Sequence, residues 1–229
     1  MSSPAPAQGS PALTLLRKNV ELSIAILLGL VSIVTAYASF QSSLYDGAMT
    51  QNYTVGSNLS TEAESLYLEG NQQYVQDAQL YDRLTDLQLD TFNPDAAVAT
   101  AAQEKYDVIY FQSVSEAFDL AIQWANEQNA ADPALYFSPL DNEDYQASLF
   151  GGYADTKDQA DATIAKGDVA NGLSDHLTLN TVLMAISLFL LGIAAVVSIF
   201  QMKLIMGGTA IVIFLTAAIM TAFIPFIGL

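Results

Sequence analysis

The sequence contains no cysteine, so disulfide bonds and thiolate metal sites are excluded. Basic residues are also scarce: seven lysines and arginines stand against 24 aspartates and glutamates, a formal net charge of −17. Nucleic-acid binding requires clustered Lys and Arg that neutralise phosphates, so this balance argues against nucleic acid as a partner. There is no phosphate-binding glycine loop, nucleophile motif or zinc-protease helix either. We therefore expect no enzymatic activity, no catalytic residue and no cofactor.

The charges that are present are unevenly distributed. Residues 41–176 hold 23 of the 24 acidic residues and only four basic ones, a net charge of −19. Residues 22–40, 177–200 and 204–229 contain no charged residue, and each run reaches the roughly 20 residues that a helix needs to cross a bilayer. We predict an all-α integral membrane protein with three transmembrane helices and an acidic helical bundle inserted between spans one and two.

Basic residues near span ends mark the cytoplasmic side of a membrane protein. Arg17 and Lys18 precede span one, and Lys203 separates spans two and three, so two intervening spans place all three charges on one side. The expected protein is a multi-pass plasma-membrane protein of a prokaryotic cell, in contact with the lipid bilayer. Its predicted layout is a cytoplasmic tail at 1–19, spans at 20–40, 177–200 and 204–229, an extracytoplasmic domain at 41–176 and a tight cytoplasmic turn at 201–203.

The stretch "TAYASF" at residues 35–40 has small residues where a signal peptidase would cut. The alternative is a membrane helix that stays attached. Small residues recur along this run with spacings of 4, 3, 4, 3 and 4, which places them on one helical face and lets membrane helices approach closely. A signal peptide needs no such face, so we predict a retained span. Its predicted helix-packing residues are Ala25, Gly29, Ser32, Ala36, Ser39 and Ser43.

Residues 41–176 show helical periodicity and no sustained strand alternation. Apolar and small residues at 3–4 spacing predict one helix over 59–84 and a second over 98–124, the second with Asn93 as its N-cap. Further helix starts are predicted around Asp132 and Ser138. The first and last helices of this domain are expected to continue from the membrane spans. The last one is expected to be interrupted or closely approached at Gly151-Gly152.

Tyr67, Tyr74 and Tyr81 are spaced by seven and share one helical face. They predict either an aromatic binding surface or a tyrosine-rich core seam with hydroxyl groups at its wet edge, and the core seam is the simpler interpretation.

Candidate metal and modification sites are few. His176 beside Asp175 suggests a pH sensor, half of a metal site or, more simply, a residue at the membrane interface. The acidic cluster at 141–144 lacks the glycine and the spacing of a calcium loop, and its acids suit the N-terminal dipole of the next helix. We therefore expect no metal site. Asn52 and Asn58 begin N-x-S/T sequons and are candidate glycosylation sites.

The apolar runs contain no ionisable residue, which argues against a proton-coupled transporter. The polar side chains available in these runs include an asparagine and several threonines, and we expect them to form hydrogen bonds between helices. These residues are Asn180, Thr181, Thr209, Thr216 and Thr221.

The layout resembles an uncharacterised group of bacterial membrane proteins. In that group one N-terminal span is followed by an extracytoplasmic helical region and a C-terminal two-span hairpin. The stretches that carry the resemblance are "NQQYVQDAQLY" at 71–81 and "FQMKLIMGG" at 200–208. The resemblance implies the same three-span layout and transfers no functional residue.

The sequence has many features of helix packing and no catalytic or ligand-binding motif, which favours a structural role. The first hypothesis is an accessory or scaffold subunit that docks, partly through coiled-coil-like helices, on copies of itself as a homo-oligomer or on partner subunits of a membrane complex. An alternative is a homo-oligomeric cation channel whose acidic outer domains form a vestibule that concentrates cations. A second alternative is an extracytoplasmic sensor, although a three-residue cytoplasmic turn leaves no room there for an output domain.

Overall fold

The structure is a computed structural model that describes the backbone of residues 11–228 and the side chains of residues 19–228. Its helices are α1 (Pro11–Asp90), α2 (Ala96–Ser113), α3 (Glu116–Ala131), a 3₁₀ turn (Pro139–Asp141), α4 (Glu143–Val196) and α5 (Phe200–Ala222). No strand occurs within the described ranges, so the predicted all-α class is confirmed. Residues 1–10 of the predicted tail, the side chains of Arg17 and Lys18, and Leu229 lie outside the described residues.

Three of these helices, α1, α4 and α5, are long and apolar enough to cross a membrane. They contain residues 22–40, 177–196 and 204–222 of the three charge-free runs. As predicted, the helix over 59–84 continues from the first apolar run, because α1 passes through both without a break. In the same way α4 carries the chain from Glu143 into the second apolar run.

The connection between the last two helices is not where the sequence predicted it. Helix α4 ends at Val196 and α5 begins at Phe200, so the connection is 197–199 and not 201–203. The prediction placed the turn at the only charge in the region. However, Lys203 lies inside α5, where its ammonium pairs with Glu21. Helix α5 also ends at Ala222, earlier than the predicted end of span three, because Pro225 cannot continue a helix.

The single helix predicted over 98–124 is two helices. Ser115 interrupts it, since its side chain accepts a hydrogen bond from the Phe118 N–H at 3.3 Å and so caps α3. The start of α2 also differs from the prediction. Asp95 is the N-cap and accepts from the Ala97 N–H at 2.9 Å, while Asn93 accepts from the Asp95 N–H at 3.0 Å. The apolar spacing continues across the break, so periodicity alone could not reveal it.

The chain divides into two compact units. Unit 1 holds the chain up to Tyr53 and from Ala165 onward, and unit 2 is Thr54–Ile164. In unit 1 the apolar stretches of α1, α4 and α5 pack together. Buried positions on α5 recur every three or four residues, and most are small, which brings helix backbones close together. They are Lys203, Gly207, Ala210, Phe214, Ala217 and Thr221.

The core of unit 2 joins α3 to the first turn of α4. Phe118, Ala121, Ile122 and Tyr145 are buried there, and the rings of Phe118 and Tyr145 lie with centroids 5.2 Å apart. Asn142 precedes α4 and accepts a hydrogen bond from the Tyr145 N–H at 2.8 Å, which fixes the helix start that inserts Tyr145 into this core.

Close helix approach in unit 2 depends on a glycine of α1. A Cβ added to Gly70 would lie 2.5 Å from the Leu149 carbonyl oxygen of α4, so no larger residue fits there. The sequence-based expectation for Gly151-Gly152 is wrong, because α4 passes through them unbroken. A Cβ at Gly151 would meet nothing within 4 Å, and one at Gly152 would make only an ordinary contact.

Candidate functional site

The stripe of small residues predicted on span one lies on the exposed side of α1. All six members are exposed: Ala25, Gly29, Ser32, Ala36, Ser39 and Ser43. The buried side of the same stretch consists of Ile24, Val31 and Ala38 at heptad spacing. A Cβ added to Gly29 would meet no atom within 4 Å. The stripe therefore makes no helix packing within the described chain, and its role in packing stays a prediction that concerns contact with another molecule.

A buried hydrogen-bond cluster joins α1 to α4 in unit 1. The Ser42 hydroxyl lies 2.9 Å from the Ser174 hydroxyl and 3.0 Å from that of Thr178. The Ser174 hydroxyl also donates to a carboxylate oxygen of Asp46 at 2.6 Å. Sequence reasoning missed this cluster, because isolated serines carry no pattern that reveals their partners across helices. Its chemistry is that of satisfied hydrogen bonds that hold two helices in register.

The segment after α5 is held against α1 by two side chains. The Gln41 amide forms a pair of hydrogen bonds with the Ile227 backbone, accepting from its N–H at 3.0 Å and donating to its carbonyl at 3.3 Å. Tyr45 donates its hydroxyl to the Pro225 carbonyl at 2.8 Å. Since a chain end without secondary structure has unpaired backbone groups, these side chains take the place of helical hydrogen bonds.

The polar residues of the apolar runs behave differently from the prediction. Each of the four threonines donates to the carbonyl four residues earlier in its own helix, at 2.8–3.0 Å, and none bonds between helices: Thr181, Thr209, Thr216 and Thr221. Ser187, which the sequence did not single out, does bridge two helices by donating to the Ala210 carbonyl at 2.8 Å. Asn180 is fully buried, and neither polar atom of its side chain has a partner among the described residues.

Tyrosines satisfy the carboxylates in the interior of unit 2. Asp77, only 2% exposed, accepts from the Tyr145 hydroxyl at 2.8 Å and from the Gln73 amide at 2.9 Å. The Tyr110 hydroxyl likewise donates to Asp119. Burial, followed by the contact with Asp119, raises the pKa of Tyr110 above its usual value, so this tyrosine stays a neutral donor. Such pairs stabilise a core by satisfying carboxylates that are shielded from water.

The seven-residue tyrosine series is divided between the core and the surface. Tyr74 and Tyr81 pack against the buried cluster around Phe118, as the core-seam interpretation holds. Tyr67 is 47% exposed and contacts Tyr153, with ring centroids 5.3 Å apart. With Glu64 and Leu68, these two rings line an open hollow of about 310 Å³.

The described part of the chain contains no group of three His, Asp or Glu residues that is able to hold a metal ion. His176 and Asp175 are both exposed. Of the two sequon asparagines, Asn58 is exposed, whereas the Asn52 amide donates to the Ala48 carbonyl at 2.7 Å. Both lie within α1, and glycosylation of either stays a prediction.

Comparison of the chain with protein-family models, with curated proteins and with solved structures finds no match. The resemblance in layout to bacterial three-span proteins therefore stays a prediction.

Proposed function

We propose that this protein is a non-enzymatic, integral-membrane accessory or scaffold subunit. It docks through the small-residue stripe of α1 and through its helical domain. In this proposal residues 41–176 face the outside of a prokaryotic plasma membrane, and the amino terminus faces the cytoplasm. The observation that carries the proposal is the exposure of all six stripe residues on a helix whose opposite side is already packed.

The stripe favours contact with another helix over contact with lipid alone. Small side chains allow two helix backbones to approach closely, and the resulting van der Waals contact drives association where no hydrophobic effect operates. The Ser32 hydroxyl donates to the Leu28 carbonyl of its own helix at 2.7 Å, so this serine of the stripe does not depend on a partner to satisfy it. The stripe is therefore suited to tight packing against a second copy or another subunit.

Unit 2 also has large aromatic side chains that are exposed and available for docking. Phe111 is 90% exposed, Phe92 79% and Tyr136 73%, and large exposed aromatic side chains on a polar domain are typical of interaction surfaces. The surrounding residues 41–176 carry a net charge of −19, so the proposal favours a partner with basic residues around an apolar centre.

The test of this function is the substitution Gly29→Leu. Gly29 is exposed and a Cβ added there meets no atom within 4 Å, so we expect the fold to be kept while a partner helix is held away. Native mass measured in mild detergent is expected to shift from the assembled form toward the monomer, or a co-purifying subunit is expected to be lost. Gly208→Leu is the matched control, because Gly208 is also exposed with open space but its helix neighbours are bulky. Leu30→Phe, beside the stripe, is a second control.

Assembly that tolerates Gly29→Leu as well as it tolerates the two controls would show that the stripe faces lipid. A protein that is monomeric and free of partners before any substitution would contradict the scaffold function itself.

A further inference from the structure

A cavity of about 240 Å³ lies beside the connection between α4 and α5, within unit 1. Glu21, Phe200, Lys203 and residues 195–198 line it. Helices α4 and α5 are both candidate membrane spans; α4 ends at this connection and α5 begins there. A cavity at the shared end of two spans is placed at the level of lipid head groups.

Lys203 is the unusual member of this cavity. Its side chain is only 8% exposed, and its ammonium donates to a Glu21 carboxylate oxygen at 3.0 Å. An ammonium has three donors, and no second acceptor for it occurs among the described residues. Glu21 is itself 60% exposed, so it is a weakly held partner. A buried ammonium with unused donors is costly, and another acceptor in the cavity would stabilise it.

The start of α5 adds further donors at the same place. Ile199 precedes the helix, and no side chain caps it. The first backbone N–H groups of the helix, those of residues 200–202, find no acceptor within the part of the chain that the structure describes. Free N–H groups at a helix start carry partial positive charge and attract anions. The buried ammonium and the uncapped helix start thus lie at one cavity, since Phe200 and Lys203 both line it.

We propose that this cavity binds the phosphate group of an anionic lipid. The Lys203 ammonium and the first N–H groups of α5 donate to the phosphate oxygens. Glu21 competes for the same ammonium and turns outward when the phosphate binds. This site adds a ligand to the proposed scaffold function, and it does not depend on the stripe of α1.

The test uses the full-length protein in mild detergent, titrated with phosphatidylglycerol or phosphatidylcholine and followed by native mass spectrometry. We expect the wild-type protein to prefer phosphatidylglycerol about fivefold, the factor that one lysine near a membrane surface provides. Lys203→Gln abolishes this preference, and Lys203→Arg keeps it. Glu21→Gln keeps or increases it, because the competing carboxylate is gone. Lys166→Gln, at an exposed lysine of α4, leaves it unchanged.

The different effects of Lys203→Gln and Glu21→Gln on the lipid preference separate a lipid site from an ion pair that is only structural. A structural pair would make Lys203→Gln and Glu21→Gln alike, both with a lower melting temperature and an unchanged lipid preference, and that outcome overturns the proposal. Equal binding of the two lipids by the wild-type protein also overturns it. A parallel titration with inorganic phosphate tests the source: phosphate that displaces phosphatidylglycerol at equal concentration would overturn the assignment to a lipid.

Discussion

Removal of one hydroxyl group tests how the buried carboxylate of unit 2 is stabilised. In Tyr145→Phe the ring stays in the core against Phe118, but Asp77 loses the donor at 2.8 Å. Only the Gln73 amide, at 2.9 Å, then remains as a hydrogen-bond partner of that carboxylate. Since Asp77 is 2% exposed, water does not replace the missing donor.

The size of the effect follows from the kind of hydrogen bond that is lost. A hydrogen bond to a charged group contributes about 1.5–3 kcal/mol, and loss of one partner leaves the other buried and unsatisfied. We therefore expect Tyr145→Phe to lower the free energy of unfolding of unit 2 by about 1.5–3 kcal/mol. Tyr153→Phe is the matched control, because the Tyr153 hydroxyl makes no hydrogen bond within the described part, and its effect should stay below about 0.5 kcal/mol.

The measurement is denaturant unfolding of the full-length protein in detergent, with hydrogen exchange of peptides from residues 70–90 and 116–131 as a local readout. Asp77→Asn, alone and with Tyr145→Phe, completes a double-mutant cycle, and a coupling of about 0.5–3 kcal/mol is expected for residues in contact. A Tyr145→Phe protein as stable as the Tyr153→Phe control would refute the reasoning, because Asp77 would then need no donor from Tyr145.

Three further predictions follow, two on the apolar helices and one on the orientation of the chain. Asn180→Leu should raise the free energy of unfolding by about 1–3 kcal/mol, because it removes a buried amide without a partner. Ser187→Ala should lower the free energy of unfolding by about 0.6 kcal/mol, because it deletes an interhelical hydrogen bond. A loss of thermal stability in Asn180→Leu would mean that the amide has a partner after all. Cysteine at Ser10 should resist an impermeant thiol reagent in intact cells, while cysteine at Ser138 should react, and the reverse pattern would overturn the proposed orientation.

The first part of α1, a candidate membrane span, shows how far sequence reasoning reaches here. Both faces of the first part of α1 were apolar enough to be buried, and the stripe of small residues looked like the packing face. In the structure the helices of the same chain pack on Ile24, Val31 and Ala38 instead, and the stripe stays exposed. In an apolar helix the contrast between polar and apolar residues that identifies the buried face of a soluble helix is absent. The choice of face therefore depends on the shapes of the neighbouring helices.

The misplaced turn has a different cause, which is that Lys203 pairs with a residue far away along the chain. A charge is usually a sign of exposure, and the sequence gives no indication that Lys203 lies in a helix with Glu21 as its partner, because these residues are 182 positions apart. The pairs between Tyr145 and Asp77 and between Ser42 and Ser174 are likewise distant along the chain and could be found only in three dimensions.

The sequence by itself determined the properties that depend on local composition. It contains three charge-free runs long enough for a bilayer, with helical periodicity between them. These two features were sufficient to predict an all-α chain with three candidate spans. The tertiary structure alone decided which face of the apolar part of α1 is buried and which serines, tyrosines and carboxylates pair across helices. It also decided that a nearly buried lysine lines a cavity at an uncapped helix start. Composition acts over a few neighbouring residues, whereas these contacts join residues far apart in the chain, so only packing fixes them.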